Sequence, residues 1–221
     1  MKYKRITLLS GHYGSGKTNV AVNMAEDLKK YEDRVTIADL DIVNPYFRTL
    51  DSKEDFEHAG IRLIVSEYAN TNLDAPALPQ EIYSITDDRS AHVIIDVGGD
   101  DRGALALGRI SDRIREENDY EMLLVINRFR PLTRTPENVL EVMKEIEEAG
   151  KIPFTGIINN SNLGAETDEE TVLSSLKFAE ETSYLTGLPI KATCVEEKLY
   201  DSLKDRIENC FPLKLQKRPI D

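Results

Sequence analysis

The chain has 221 residues, 40% of them hydrophobic, which suffices to bury one sizeable core and fits a single domain over residues 1–221. Its formal net charge of -12 at pH 7 excludes a general attraction to nucleic acid or anionic lipid. Two cysteines, Cys194 and Cys210, are too few for a disulfide framework and lack Cys-x-x-Cys spacing, so they read as buried small hydrophobes in a reducing compartment. The run Ile6 to Leu9 behind Lys2, Lys4 and Arg5 is too short for a signal-peptide core, and no stretch reaches membrane-spanning length. A cytoplasmic protein with no membrane span is expected.

In chain order, short apolar runs alternate with segments of helical period, the pattern of parallel strands joined by crossover helices. Strands are expected at Arg5–Ser10, Val35–Asp39, Ile61–Val65, His92–Val97, Met122–Asn127, Phe154–Asn159 and Ile190–Cys194. Pro136 to Ala149 puts Val139, Val142, Met143, Ile146 and Ala149 on one helical face, with Thr135 as N-cap and Gly150 beyond the end. Thr167-Asp168-Glu169-Glu170 reads as a capping box before a helix toward Tyr184 that Gly187 terminates. A last helix, Glu197 to Asn209, offers Leu199, Leu203 and Ile207 to the sheet. The fold expected is α/β: one three-layer domain, a mostly parallel sheet flanked by helices. Two stretches escape the rhythm, Asp41 to His58 and Tyr68 to Gln80, and long connections of this kind are usually functional.

Between the first strand and the first helix, Gly11-His12-Tyr13-Gly14-Ser15-Gly16-Lys17-Thr18 matches Gly-x-x-x-x-Gly-Lys-[Ser/Thr], the P-loop. Its glycines let successive backbone N–H groups turn inward around phosphate oxygens, and the following helix adds its positive end. Lys17 would reach the β- and γ-phosphates, and the Thr18 hydroxyl would bind the magnesium ion that bridges them. Asn19 is counted with the cradle. The motif predicts binding of a nucleoside triphosphate, ATP with magnesium.

Hydrolysis also needs groups that hold magnesium and orient a water. Thr36-Ile37-Ala38-Asp39-Leu40-Asp41 ends a strand in two carboxylates of alternate orientation. His92-Val93-Ile94-Ile95-Asp96-Val97-Gly98-Gly99 runs an apolar strand into an aspartate and paired glycines. Asp96 suits a magnesium-bound water, and a Gly98 or Gly99 N–H can approach a γ-phosphate without a side chain in the way.

The P-loop, Asp39-Leu40-Asp41 and Asp96-Val97-Gly98-Gly99-Asp100 together resemble the MinD/ParA class of P-loop ATPases, which includes nitrogenase iron protein and shares its domain with the CobQ and CobB proteins. The resemblance implies that Asp41 orients the attacking water and stands near the metal, that Asp96 serves magnesium and that Gly99 senses the γ-phosphate. Within Gly156-Ile157-Ile158-Asn159-Asn160, it implies that an asparagine reads the adenine edge, Asn160 first and Asn159 second. The family has a lysine directly after the first P-loop glycine that reaches a dimer partner's nucleotide; here His12 stands there. Arg48, Arg102 and Arg109 are either substitutes for that charge or ordinary surface arginines.

The function expected is an ATPase acting as a nucleotide-dependent switch, with a partner protein or a nucleotide-dependent second copy reading its state. An ATP-dependent ligase of the cobyrinate or dethiobiotin synthetase type, and a small-molecule kinase, are the alternatives. The aromatics of Asn44-Pro45-Tyr46-Phe47-Arg48-Thr49 dock a partner or plug the core, with equal weight. The basic island Arg128-Phe129-Arg130-Pro131-Leu132-Thr133-Arg134 reads first as a solvated loop, second as a contact for a phosphate or an acidic partner.

Overall fold

The structure, a computed structural model, describes residues 1–41, 53–65, 80–99 and 101–215. Helices α1 Lys17–Lys29, α2 Lys53–Ala59, α3 Ser84–Asp87, α4 Asp101–Gly108, α5 Ser111–Glu117, α6 Pro136–Gly150, α7 Glu169–Ser174, α8 Leu176–Thr186 and α9 Glu197–Leu203 alternate with eight strands. The strands are β1 Ile6–Ser10, β2 Val35–Asp39, β3 Arg62–Val65, β4 His92–Asp96, β5 Tyr120–Ile126, β6 Gly156–Asn159, β7 Ile190–Glu196 and β8 Cys210–Leu213, in the order β3-β2-β4-β1-β5-β6-β7-β8. Every pairing is parallel.

Parallel strands are covered on both faces, so their sequences run apolar without alternation. On β1, Ile6 and Leu8 enter one core with Val93, Ile95, Met122 and Leu124, while Leu9 enters the other with Ile94, Leu123 and Val125. Helix α6 seals the first core with Val139, Met143 and Ile146, and α1 seals the second with Val20, Ala21, Met24 and Leu28. The result is the three-layer α/β architecture expected. Chain direction across the sheet reverses at β1, which lies between β4 and β5. In open α/β sheets the crevice beyond the strand ends at such a switch point is where ligands bind.

Several local expectations need correction. Thr167 does not cap α7: Asp168 accepts from the Thr171 N–H at 2.8 Å and is its N-cap. The helix beyond it breaks at Ser175, whose buried hydroxyl donates back to the Val172 carbonyl at 2.6 Å and competes with the helical ladder. Gly150 is the last residue of α6, and Lys151 at φ 53 turns the chain out. The last helix stops at Leu203, and Asn209 at φ 55 leads into β8, a strand that sequence reading missed. Pro212 within it cannot donate to a ladder, which is tolerable on this outermost strand. Asn44 to Thr49 and most of Tyr68 to Gln80 lie outside the described residues.

At the opposite end of the sheet from the crevice, Arg5 leading into β1 pairs with Glu117 of α5, the two side chains each 7% exposed. The Arg5 guanidinium also donates to the Ala91 and Ile85 carbonyls at 3.0 and 3.1 Å. Breaking a buried pair leaves a charge without its counterion, so Glu117→Ala should lower the unfolding free energy by about 3–5 kcal/mol. Urea denaturation measures this; a loss under about 1 kcal/mol would show that the pair is not a structural clamp.

Candidate functional site

β1 delivers the P-loop because its register leaves Ser10 as the last ladder residue and Gly11 as the first free of it. Gly11 takes φ +151 and crosses Val125 of β5 so closely that a Cβ would stand 2.3 Å from the Val125 carbonyl oxygen. Only glycine fits there. The loop closes with the Ser15 N–H on the His12 carbonyl at 3.1 Å, and Gly16 at φ 86 starts α1. No side chain caps α1, so its first N–H groups stay directed at the crevice.

Three strand ends meet at this loop. Leu9 and Asp39 are both register partners of Asp96, and the Leu40 N–H donates to the Asp96 carbonyl at 2.8 Å. Asp96 is fully buried and accepts from the Thr18 hydroxyl at 2.6 Å. Burial pushes its carboxyl up to about 7, against the pull of the Lys17 ammonium and the Thr18 hydroxyl, with the Asp41 charge adding to the rise. Asp41 is half-buried and borders the cavity, its backbone N–H held by the Asp39 carboxylate at 2.8 Å. Of the two strand-end carboxylates, Asp39 is therefore the support and Asp41 the one at the cavity, the alternation expected. Gly99 abuts the loop: a Cβ on it would stand 2.2 Å from the Gly11 carbonyl oxygen and 2.9 Å from Lys17 Nζ.

Two buried oxygens here, Ser15 Oγ and Asp96 Oδ1, have no protein hydrogen-bond partner. Leaving such groups unmet costs about 1–3 kcal/mol each, so the site is built for something that supplies the missing bonds. Thr18 Oγ1 and the Asp96 carboxylate are hard oxygen donors side by side, the set that magnesium takes when phosphates and waters complete its shell.

Uncharged Asp96 is easier to bury, and this has a consequence for stability. A carboxyl raised from 3.8 to about 7 binds protons more tightly folded than unfolded. The stability this adds is complete below pH ~4 and disappears as pH rises through about 7. Ligand-free Asp96→Asn should therefore gain on wild type in melting temperature as pH rises from 5.5 to 8; parallel curves would contradict the burial argument.

A cavity of about 710 Å³ opens from the P-loop toward β6, β7 and β8. Gly14, Gly16, Lys17, Thr18 and Asn19 border one end with Asp41, and Asn160 to Gly164, Glu196 and Leu213 the other. The two candidate asparagines separate cleanly. Asn159 is fully buried, its amide donating to the Ser175 hydroxyl at 2.9 Å and its oxygen accepting from the Ser161 N–H at 3.2 Å. Asn160 points the other way, donating to the Ser15 carbonyl at 2.8 Å and bordering the cavity. Tyr13 is 63% exposed at the cavity edge, and His12 is half-buried, its Nδ1 2.9 Å from the Tyr13 carbonyl. Arg109 is exposed beyond α4, while Arg48 and the Arg102 side chain fall outside the described residues.

Sequence reasoning gave no role to Glu196 and placed Arg130 only second as a phosphate contact. Glu196 at the end of β7 carried no motif, and Arg130 looked like part of a solvated basic loop, yet both border the cavity. Only the tertiary path of their strands brings them here. Among the described residues no helix is long and apolar enough to cross a membrane.

Solved structures with this fold include the cell division protein FtsY of Thermotoga maritima, 21% identical with a TM-score of 0.55 over 86% of this chain and 61% of that one. FtsY of Mycoplasma mycoides matches at 20% identity and TM-score 0.53 over 86% and 59%. The signal recognition particle 54 kDa protein of Aeropyrum pernix K1, solved in complex with GDP, matches at 20% and 0.54 over 87% and 41%. The chain thus spans between 41% and 61% of these three proteins' lengths, and at such identities the likeness shows the P-loop fold alone. Among curated proteins none matches the chain. Residues 6–172, from the start of β1 into α7, match the model of the CobQ/CobB/MinD/ParA nucleotide-binding domain, and with that share of its length matched the chain belongs to that family.

Proposed function

We propose that the protein is a magnesium-dependent ATPase whose nucleotide state is read by a partner protein. The observation that carries this reading is that Lys17, Thr18 and Asp41 border a nucleotide-sized cavity, with Asp96 on Thr18, Gly99 beside Lys17, and the buried Ser15 Oγ and Asp96 Oδ1 without protein partners. In this reading the P-loop N–H groups and Lys17 hold the phosphates, and Thr18 and Asp96 hold magnesium. Magnesium neutralises charge that develops on the β- and γ-phosphates. Asp41 orients and polarises the attacking water, and the Gly99 N–H meets the γ-phosphate beside Lys17. Loss of that phosphate would release the segments beyond Asp41 and Gly99, the ordinary way such a site changes an exposed surface.

Asn160 supports adenine as the base. With one of its two amide N–H groups on the Ser15 carbonyl, it keeps a side-chain carbonyl acceptor, which suits the adenine amino group. A second reading, guanine, is favoured by Glu196, whose carboxylate could accept from guanine N1 and N2; its salt bridge to Lys198 at 2.7 Å already engages it. In a competition experiment ATP should displace labelled nucleotide far better than GTP; equal displacement would reject the adenine assignment.

Phosphate release separates a switch from a ligase. A switch hydrolyses ATP slowly by itself and faster with a partner from cell extract, whereas a ligase stays silent until given an organic acid with ammonia or carbonate. Activity only in the second condition would overturn the switch. Nucleotide-dependent self-association, through Arg48 or Arg102, is part of the same proposal. Light scattering of Asp41→Asn with Mg-ATP should show more than one chain; one chain at low salt and high concentration would leave a heterologous partner as the reader.

A further inference from the structure

The loop between β5 and α6 carries Arg128, Arg130 and Arg134; Arg128 is half-buried and Arg130 exposed, and each of these two makes a hydrogen bond to a backbone carbonyl of another element. Asn127, fully buried just past β5, sets the loop's shape: its side-chain oxygen accepts from the Phe129 N–H at 3.0 Å, and its carbonyl accepts from the Thr133 hydroxyl at 2.8 Å. Arg128 braces the outer side, its guanidinium 5.6 Å from the Phe129 ring centre and 5.9 Å from that of Phe178, with a bond to the Ser174 carbonyl at 2.5 Å. Between these anchors Arg130 is turned back onto the P-loop, where its Nε donates to the Gly14 carbonyl at 2.8 Å. It lies where Gly14 lacks a side chain, since a Cβ there would stand 3.3 Å from Arg130 Nε.

One N–H anchors the guanidinium, and Arg130 borders the same cavity as Gly14, Gly16 and Lys17. Among the described residues no carboxylate pairs with it, although the chain carries 40 acidic residues against 28 basic ones. An arginine held by a neutral carbonyl at the mouth of a phosphate cradle keeps its fork geometry and its charge for an anion. We propose that Arg130 is a phosphate-binding residue of the nucleotide site, holding the polyphosphate beside Gly14 in addition to Lys17. The inference rests on the nucleotide reading of the cavity and adds to it a cation that the P-loop motif does not contain.

Calorimetric titration of wild type, Arg130→Ala and Arg130→Lys with adenosine, Mg-ADP and Mg-ATP tests it, thermal melting having established that the variants are folded. Arg130→Ala should bind adenosine as wild type does and lose affinity as phosphates are added, by roughly 10- to 100-fold for Mg-ATP. Arg130→Lys should recover only part, because an ammonium lacks the fork that holds the Gly14 carbonyl and a phosphate together. Wild-type affinity of Arg130→Ala for Mg-ATP would overturn the inference while leaving the nucleotide reading intact. A loss equal for adenosine and Mg-ATP would show a structural role and overturn it too. Wild-type protein that binds no nucleotide overturns the reading and the inference together.

Discussion

Lys17→Ala is expected to weaken Mg-triphosphate binding by roughly 100-fold or more, because charge-assisted bonds to two phosphates disappear at once. Lys17 is 6% exposed and stands within the reach of both Asp96 and the Gly99 backbone. Its removal takes away an ammonium that offsets the burial of Asp96, so the carboxyl should rise further and magnesium should bind less well. Folding should survive, since an alanine at the start of α1 is a good helix former. A calorimetric titration in which Lys17→Ala matches wild type would remove the P-loop from the account.

Asp41→Asn is expected to keep Mg-ATP but slow single-turnover phosphate release by roughly 100-fold or more, the scale of a lost general base or water-orienting carboxylate. The substitution keeps the size of the side chain, and the backbone bond from Asp41 to the Asp39 carboxylate does not involve the altered group. The Asp41 charge also raises the Asp96 carboxyl, so the amide should ease that repulsion. Unchanged phosphate release would exclude Asp41 from the chemistry; lost nucleotide binding would make it a ligand-holding residue instead.

What the sequence made legible was what depends on neighbours along the chain. The P-loop is one contiguous run whose glycines have no other use, and Asp96 follows directly from an apolar strand into paired glycines. The choice between Asn159 and Asn160 was a different kind of question. Successive side chains at a strand end face opposite ways, so one residue decides between the buried Ser175 hydroxyl and the P-loop carbonyl. Nothing in Gly-Ile-Ile-Asn-Asn marks where the strand stops. β8 was hidden because Pro212 speaks against a strand unless its position at the sheet edge is known. Glu196 was hidden because its place at the cavity depends on the order of the strands in the sheet, a property of topology that local pattern does not carry. The break between α7 and α8 turned on a single buried serine that satisfies both Val172 and Asn159.

A cavity that binds a nucleoside triphosphate with magnesium and cleaves it must show both steps in the isolated protein. Calorimetric titration of the full chain with ATP, with and without magnesium, followed by single-turnover phosphate release from the loaded protein, tests it most directly. One site per chain, tighter binding with magnesium than without, slow phosphate release, and loss of binding in Lys17→Ala are expected. No heat with ATP or GTP at high protein concentration, or binding indifferent to both magnesium and Lys17, would contradict it.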